Sequence, residues 1–261
     1  MIRDLQPFED RKNPMKLATR TLLVVMLQVA PLLAGTVDPS QSAWHKLYAK
    51  QKNAPDPATM QLNRDTEPDL TTGFVDLFNG KDLTGWTPKG GTCKFEAGDG
   101  MITGTCVKGS PSTYLSTERE YRDFVFTCDM KWEVDGNSGI MFRAKAKGEN
   151  KGSVYGPQVE MEEENKGRGW SGGIYGQSCG GYWYPLWLKE HKEARAARKP
   201  GDWNRVTIHA QGNVVKTWIN GVPAAHWEND EYLQGFFSLQ IHAGDQGKVL
   251  FKDIRIKELS E

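Results

Sequence analysis

The sequence lacks an excess of charge of either sign: 33 Lys and Arg stand against 33 Asp and Glu. That balance removes the electrostatic argument for nucleic acid or an anionic membrane as partner. No apolar run reaches the ~20 residues that a bilayer-spanning helix requires. Cysteine is scarce, at four residues, and their spacing fits no metal-ligand pattern. A glycine-rich phosphate loop is missing in both of its standard forms, so neither nucleotide hydrolysis nor dinucleotide binding has its usual cradle. No Gly-x-Ser-x-Gly elbow and no zinc-protease helix motif occurs. Internal repeats and low-complexity blocks are also absent.

What is present is aromatic and glycine-rich: nine Trp, eight Tyr and 28 Gly. Aromatic residues favour strands and glycine favours turns, so the composition leans to an all-β protein. Aromatic rings also suit sugars, because a pyranose face stacks on them, although most such rings in any protein are core. Phe124, Phe126, Cys128, Met130, Trp132 and Val134 alternate with Val125, Thr127, Asp129, Lys131 and Glu133, the period of a strand with one apolar face. Val206–Ala210 repeats the pattern. Asn213–Ile219 and Val222–Trp227 flank Asn220-Gly221, a hairpin signal. Phe236–Ala243 and Lys248–Glu258 supply two more strands, with a change of parity near Lys252–Asp253 that predicts a bulge. Leu186–Arg198 is the single helical stretch of the β-rich region and stops before Pro200. Many short strands and glycine-rich turns predict a β-sandwich or barrel.

The N-terminus reads as a targeting segment. Lys16 and Arg20 precede the apolar run Leu22–Leu33, and small residues Ala34 and Gly35 follow it. That is the layout of a signal peptide over residues 1–35, with Met15 as an alternative start. The expected product is exported, to the periplasm or beyond, with no membrane attachment after cleavage. Residues 36–72 are polar and carry four prolines, Pro39, Pro55, Pro57 and Pro68. They read as a linker or poorly ordered arm with a short helix near Ala43–Lys52. The remaining domain occupies 73–261. In an exported chain cysteines can pair. With Asp99-Gly100 as a two-residue hairpin loop, counting outward sets Cys93 opposite Cys106 at a non-hydrogen-bonded position, which predicts a cross-strand disulfide.

Two strands present polar groups on one face and apolar groups on the other. In Gln158-Val159-Glu160-Met161-Glu162, Val159 and Met161 share a face, opposite Gln158, Glu160 and Glu162. In Ser238-Leu239-Gln240-Ile241-His242-Ala243, Gln240 and His242 oppose Leu239 and Ile241. If the apolar faces build the core, these amides and ionisable groups line the outer sheet face, where they form either a site or an ordinary solvated surface. A carboxylate and an imidazole that converge in this way also suit a divalent cation, with Glu160 and His242 as its ligands. Arg143 closes Ser138-Gly139-Ile140-Met141-Phe142-Arg143 on the parity of Gly139 and Met141, where a guanidinium can grip sugar oxygens or serve as a structural ion pair.

Between Gly73 and Leu259 an ordered series of signatures carries a resemblance. They are Asp76-Leu77-Phe78-Asn79-Gly80-Lys81-Asp82-Leu83-Thr84-Gly85-Trp86, Asn137–Arg143, Gln158–Met161, Lys199-Pro200-Gly201-Asp202-Trp203-Asn204, Trp218–Val222, Leu239–His242 and Phe251–Lys257. Together the set resembles the 3-keto-disaccharide hydrolase, or 3-keto-glucoside lyase/hydratase, domain family. The resemblance implies a jelly-roll sandwich of the concanavalin A-like type with one short helix inserted. It implies an oligosaccharide or glycoside substrate, oxidised at C3 by a separate glycoside 3-dehydrogenase. A ketone at C3 acidifies the C2 hydrogen, so proton removal gives an enolate, the C1–O bond leaves by β-elimination, and water adds to the product. In that scheme Glu160 or His242 is the base and Arg143 or a bound divalent cation stabilises the enolate, while Gln158, Glu162, Tyr175 and Gln240 hold the sugar. Tyr175 enters through Gly172-Gly173-Ile174-Tyr175, which matches the family's loop beside the site. One departure stands out: where the family reads Glu-Val-Gln, this chain reads Gln158-Val159-Glu160, with acid and amide exchanged. A non-catalytic, lectin-like binding module is the alternative on the same fold.

Overall fold

The computed structural model of the chain describes residues 35–148, 153–163 and 166–260. The signal-peptide reading of residues 1–35 therefore falls almost wholly outside the described residues. Strands in chain order are β1 (Val75–Asp76), β2 (Trp86–Gly90), β3 (Lys94–Gly98), β4 (Met101–Thr105), β5 (Thr113–Thr117), β6 (Phe124–Val134) and β7 (Ser138–Ala146). They continue with β8 (Val154–Met161), β9 (Ile174–Gln177), β10 (Tyr182–Tyr184), β11 (Asn204–Gln211), β12 (Val214–Ile219), β13 (Val222–Glu228), β14 (Phe236–Ile241) and β15 (Lys248–Glu258). The helices are α1 (Ser42–Tyr48) and α2 (Lys192–Ala196).

These strands make two antiparallel sheets. One runs β13-β12-β11-β6-β15-β4-β3, with β1 also on β15; the other runs β10-β9-β8-β7-β14-β5-β2. The fold is the expected all-β sandwich. Its core lies between the sheets, where the alternating apolar faces meet: Phe126 of β6 stacks on Phe237 of β14 with centroids 4.5 Å apart. Val159, Met161, Leu239 and Ile241 turn into that same core.

Local chemistry sets the register. Asn220 and Gly221 adopt left-handed conformations (φ 52° and 84°), which the tight hairpin between β12 and β13 requires and which Asn and Gly adopt most readily. The parity change in β15 is a bulge, with Asp253 at φ 50° and a register shift between Lys252 and Arg255. The helical stretch is shorter than its composition suggests. It consists of a 3-10 turn at Lys189–His191 followed by the five residues of α2.

Two expectations need correction. Residues 36–72 are not a tether. They belong to one compact unit with the sandwich, joined by backbone bonds from Asp38 N–H to Trp187 C=O and from Lys189 N–H to Thr36 C=O, both 2.9 Å. The segment is polar, but its few anchors are buried one at a time. Met60 lies under Trp187, whose Nε1–H points at its sulfur at 3.0 Å. Asn63 Nδ2 donates to Thr217 C=O at 2.9 Å, and Glu67 accepts from Thr207 Oγ1 at 2.6 Å. Cys93 and Cys106 are likewise not joined. The register Lys94↔Thr105 makes them the next positions outward, yet both are free thiols. The two thiols still neighbour each other, each shifting the other's pKa, while Val107 N–H approaches Cys93 Sγ at 3.4 Å and Cys106 Sγ also faces the carbonyls of Gly244 (3.5 Å) and His242 (3.7 Å).

Candidate active site

The site grows from β8. Its pairing with β7 sets Glu160 opposite Gly139, and its pairing with β9 sets Gln158 opposite Tyr175. Beyond β9 the ladder continues through Glu160 N–H to Gly173 C=O and Gly172 N–H to Glu160 C=O, both 2.9 Å. Because Val159 and Met161 occupy the core, Gln158 and Glu160 must point to the outer face, and there they line a cavity of about 500 Å³. Tyr175, Gln177, Tyr182, Asn137 and His242 line the same cavity, as do Arg168 and Tyr48.

Glu160 is only 4% exposed. Asn137 Nδ2 donates to one of its oxygens at 2.9 Å and Gln158 Nε2 to the other at 3.2 Å. Burial pushes its pKa up to about 7; the Asn137 hydrogen bond opposes this, the charge of Glu162 adds to it, and Arg168 and Gln158 pull it back. A carboxylate with that value can exchange a proton near neutral pH, as a general base must. Gln158 spends its amide N–H on Glu160, while its buried Oε1 has no partner within the protein.

Arg168 supplies the positive charge. Gly167 and Gly169 on either side take left-handed φ values of 67° and 73°, which turns the loop so that the guanidinium enters the protein. Nη2 pairs with Glu162 Oε1 at 2.5 Å, Nη1 donates to Tyr48 Oη at 3.1 Å, and Nε is buried with no partner. The rings of Trp170 and Tyr182 stand 4.8 Å from it, with Tyr48 and Trp44 slightly farther away. Tyr182 is the hub of this cluster, 4.9 Å from Tyr48 and 5.0 Å from Tyr175. Burial and then the Glu160 charge raise the phenol pKa values of both Tyr175 and Tyr182.

The structure redistributes the residues read from sequence. Glu160, Gln158, Tyr175 and His242 meet at the cavity. His242 sits just past the end of β14 on the exposed rim, its Nδ1 2.6 Å from Ala243 C=O. Gln240 is fully buried behind the lining, where its Nε2 donates to Gln177 Oε1 at 3.1 Å; Gln177 is the residue that reaches the cavity. Glu162 is likewise not a wall residue of this cavity: it accepts Trp170 N–H at 3.0 Å and holds Arg168 from behind.

Arg143 is elsewhere. A bulge in β7 between Met141 and Lys145, with Arg143 itself at φ 46°, breaks the alternation on which its placement rested. Its guanidinium donates to the carbonyls of Arg122, Gly212 and Tyr232 and to Asp123, at 2.7–3.2 Å. It forms a structural ion pair and lines no part of the cavity. Nor do the donors suit a cation. Among the described residues no three His, Cys, Asp or Glu side chains converge as ligands. The Glu160 oxygens are occupied by two amides, and Glu162 is held by Arg168. Arg168 and Tyr48 escaped the sequence reading because neither lies on a periodic strand. A lone cation between two glycines and beside Trp170 was the available signal.

A concave sheet of a β-sandwich that buries one carboxylate among amides, phenols and a guanidinium is the architecture of a carbohydrate-active domain. The fold is that of two solved candidate glycosyl hydrolases from Parabacteroides distasonis ATCC 8503. One is 24% identical, with a TM-score of 0.53 over 75% of this chain and 100% of that one. The other is 21% identical, with a TM-score of 0.50 over 71% and 99%. A galectin-like protein of unknown function from Bacillus subtilis is 14% identical, with a TM-score of 0.51 over 67% and 90%. No curated protein matches the chain. The model of the 3-keto-alpha-glucoside-1,2-lyase-like domain matches residues 73–257, and the chain belongs to that family.

Proposed function

We propose that the chain is an exported enzyme that cleaves 3-keto-glycosides by elimination and hydration, with Glu160 as the base. The observation that carries this reading is Glu160 itself: a carboxylate almost removed from water, held by two amides at a cavity wall, with its pKa near 7. Glu160 would remove the C2 proton, which the neighbouring C3 ketone has acidified. Arg168, the buried cation that lines the cavity, would replace Arg143 as the electrostatic stabiliser of the enolate oxygen. The enolate pair then forms C1=C2 as the C1–O bond breaks, and water adds to C1. Gln158 Oε1, Gln177 and Tyr175 would accept or donate hydrogen bonds to sugar hydroxyls, and His242 on the rim would contact the outer part of the substrate. The exchange of acid and amide along β8 preserves the pair, since Gln158 and Glu160 hydrogen-bond to each other and both face the cavity. The ketone would come from a separate glycoside 3-dehydrogenase.

The test uses the chain from Thr36 with 3-keto-glucosides bearing a chromogenic aglycone, with and without EDTA, beside the unoxidised glucoside. Release from the keto substrate alone, lost in Glu160→Gln, is the expected result. Release from the plain glucoside means ordinary hydrolysis. Sugar binding without release from either means a lectin-like module.

A further inference from the structure

The residues matched by the family begin at 73, yet one wall of the cavity comes from before that point. Tyr48 is the last residue of α1, and it lines the cavity together with Glu160, Arg168 and Tyr175. We propose that the N-terminal arm completes the active site and that Tyr48 is the general acid that protonates the departing glycosidic oxygen. This rests on the elimination reading above.

Three tyrosines line the cavity, and their surroundings separate them. Tyr175 and Tyr182 face the Glu160 charge, which together with burial makes their protons harder to release. Tyr48 instead accepts a hydrogen bond from Arg168 Nη1 at 3.1 Å. That leaves its own O–H free to donate, and it gives the phenolate formed afterwards a charged donor already in place. The ring is held against Tyr182 and Trp170, 4.9 and 5.5 Å away. The helix behind it is fixed by Gln41, which accepts from Trp170 Nε1 at 2.8 Å and donates to Arg168 C=O at 3.3 Å.

The protons balance. Glu160 takes the C2 proton, the C2–H electron pair becomes C1=C2 through the enolate, and the C1–O pair leaves with the Tyr48 proton as an alcohol. In hydration the Tyr48 phenolate takes a proton from water as the oxygen adds to C1, and Glu160 returns its proton to C2. Both groups end as they began, and no oxidant or reductant is consumed.

The test compares Tyr48→Phe with the parent on two 3-keto-glucosides, one with a 4-nitrophenyl and one with an alkyl leaving group. Nitrophenolate departs without a proton, whereas an alkoxide does not. The variant should keep the nitrophenyl rate within about 3-fold and lose ~10²-fold or more on the alkyl substrate, with an unchanged melting temperature. Equal losses on both substrates, or none on the alkyl one, overturn the acid role and leave the elimination reading intact. A parent inactive on both keto substrates overturns the elimination reading itself and this inference with it.

Discussion

The two ends of β7 each lie close to a buried arginine, and the two do opposite work. At the far end Arg143, fully buried, spends its guanidinium on three backbone carbonyls and Asp123. Burial draws its pKa down to about 10 against the countercharge, and the side chain lines no part of the cavity. At the end carrying Gly139, which pairs with Glu160 of β8, Arg168 has one carboxylate, one phenol and four rings around it, an Nε without a partner, and a place in the cavity lining. Burial pulls its pKa down, but Glu162, Tyr182, Tyr48 and Glu160 together outweigh that and hold it above the ordinary value. A buried charge committed to backbone carbonyls away from any cavity is a rivet; one that keeps an unpartnered donor and lines a cavity is available to a ligand.

Substitution should separate them. Arg143→Met strands Asp123 and three carbonyls and should cost about 3–5 kcal/mol of stability, read by denaturant unfolding, with the turnover of the folded fraction unchanged. Arg168→Lys keeps the charge but cannot span Glu162 and Tyr48 at once. It should lower kcat/KM for the keto substrate ~10²-fold and move the melting temperature by only a few degrees. The comparison breaks if the two variants exchange phenotypes.

The carboxylate beside Arg168 makes a second test, in pH. Its folded pKa, about 7, lies above the ordinary 4.5, so the native state holds this proton more tightly than the unfolded chain does. Its contribution is most favourable below pH 4.5, declines as pH rises toward 7 and is constant above. The decline amounts to roughly 3 kcal/mol. Glu160→Gln should therefore be more stable than the parent above pH 7 and comparable to it at pH 4, while losing 10²–10⁴-fold in kcat, on the order of a general base's contribution. In the parent, kcat/KM should rise with pH through about 7, because the base must be ionised. A flat profile would remove Glu160 from that role.

The difference between the two ends also shows what the sequence could disclose. Wherever side chains follow the period of a strand, the reading carried through to structure: β6 and β15 begin and end where the alternation does, and Gln158 and Glu160 face away from Val159 and Met161. It failed where the period is interrupted. The bulge at Arg143 rotates that side chain off the face that counting assigned to it, and the final turn after Ile241 sets His242 on the rim. Arg168 sits on a loop shaped by two glycines, where no alternation exists to count. The arm looked like a tether because its buried anchors, Gln41, Met60 and Asn63, recur at no fixed interval, and isolated burial leaves no pattern in composition.

The smallest effect sharpens the comparison at the pocket end of β7. A Cβ at Gly139 would lie 2.6 Å from the Gln158 carboxamide, too close without movement of that side chain, and Gln158 is the group that donates to Glu160. The backbone at Gly139 has no left-handed requirement, so Gly139→Ala should fold. Its penalty should fall on the Gln158–Glu160 pair, as a loss of about 10-fold in kcat/KM, or ~1.4 kcal/mol. If the loss is steric displacement of Gln158, it should vanish in a Gln158→Ala background, where the space is already open; additive losses would instead mean that Gly139 serves close approach of the substrate itself. Gly139 pairs with Glu160 across β7 and β8, so the coupling should be confined to the end of β7 that lies beside the carboxylate.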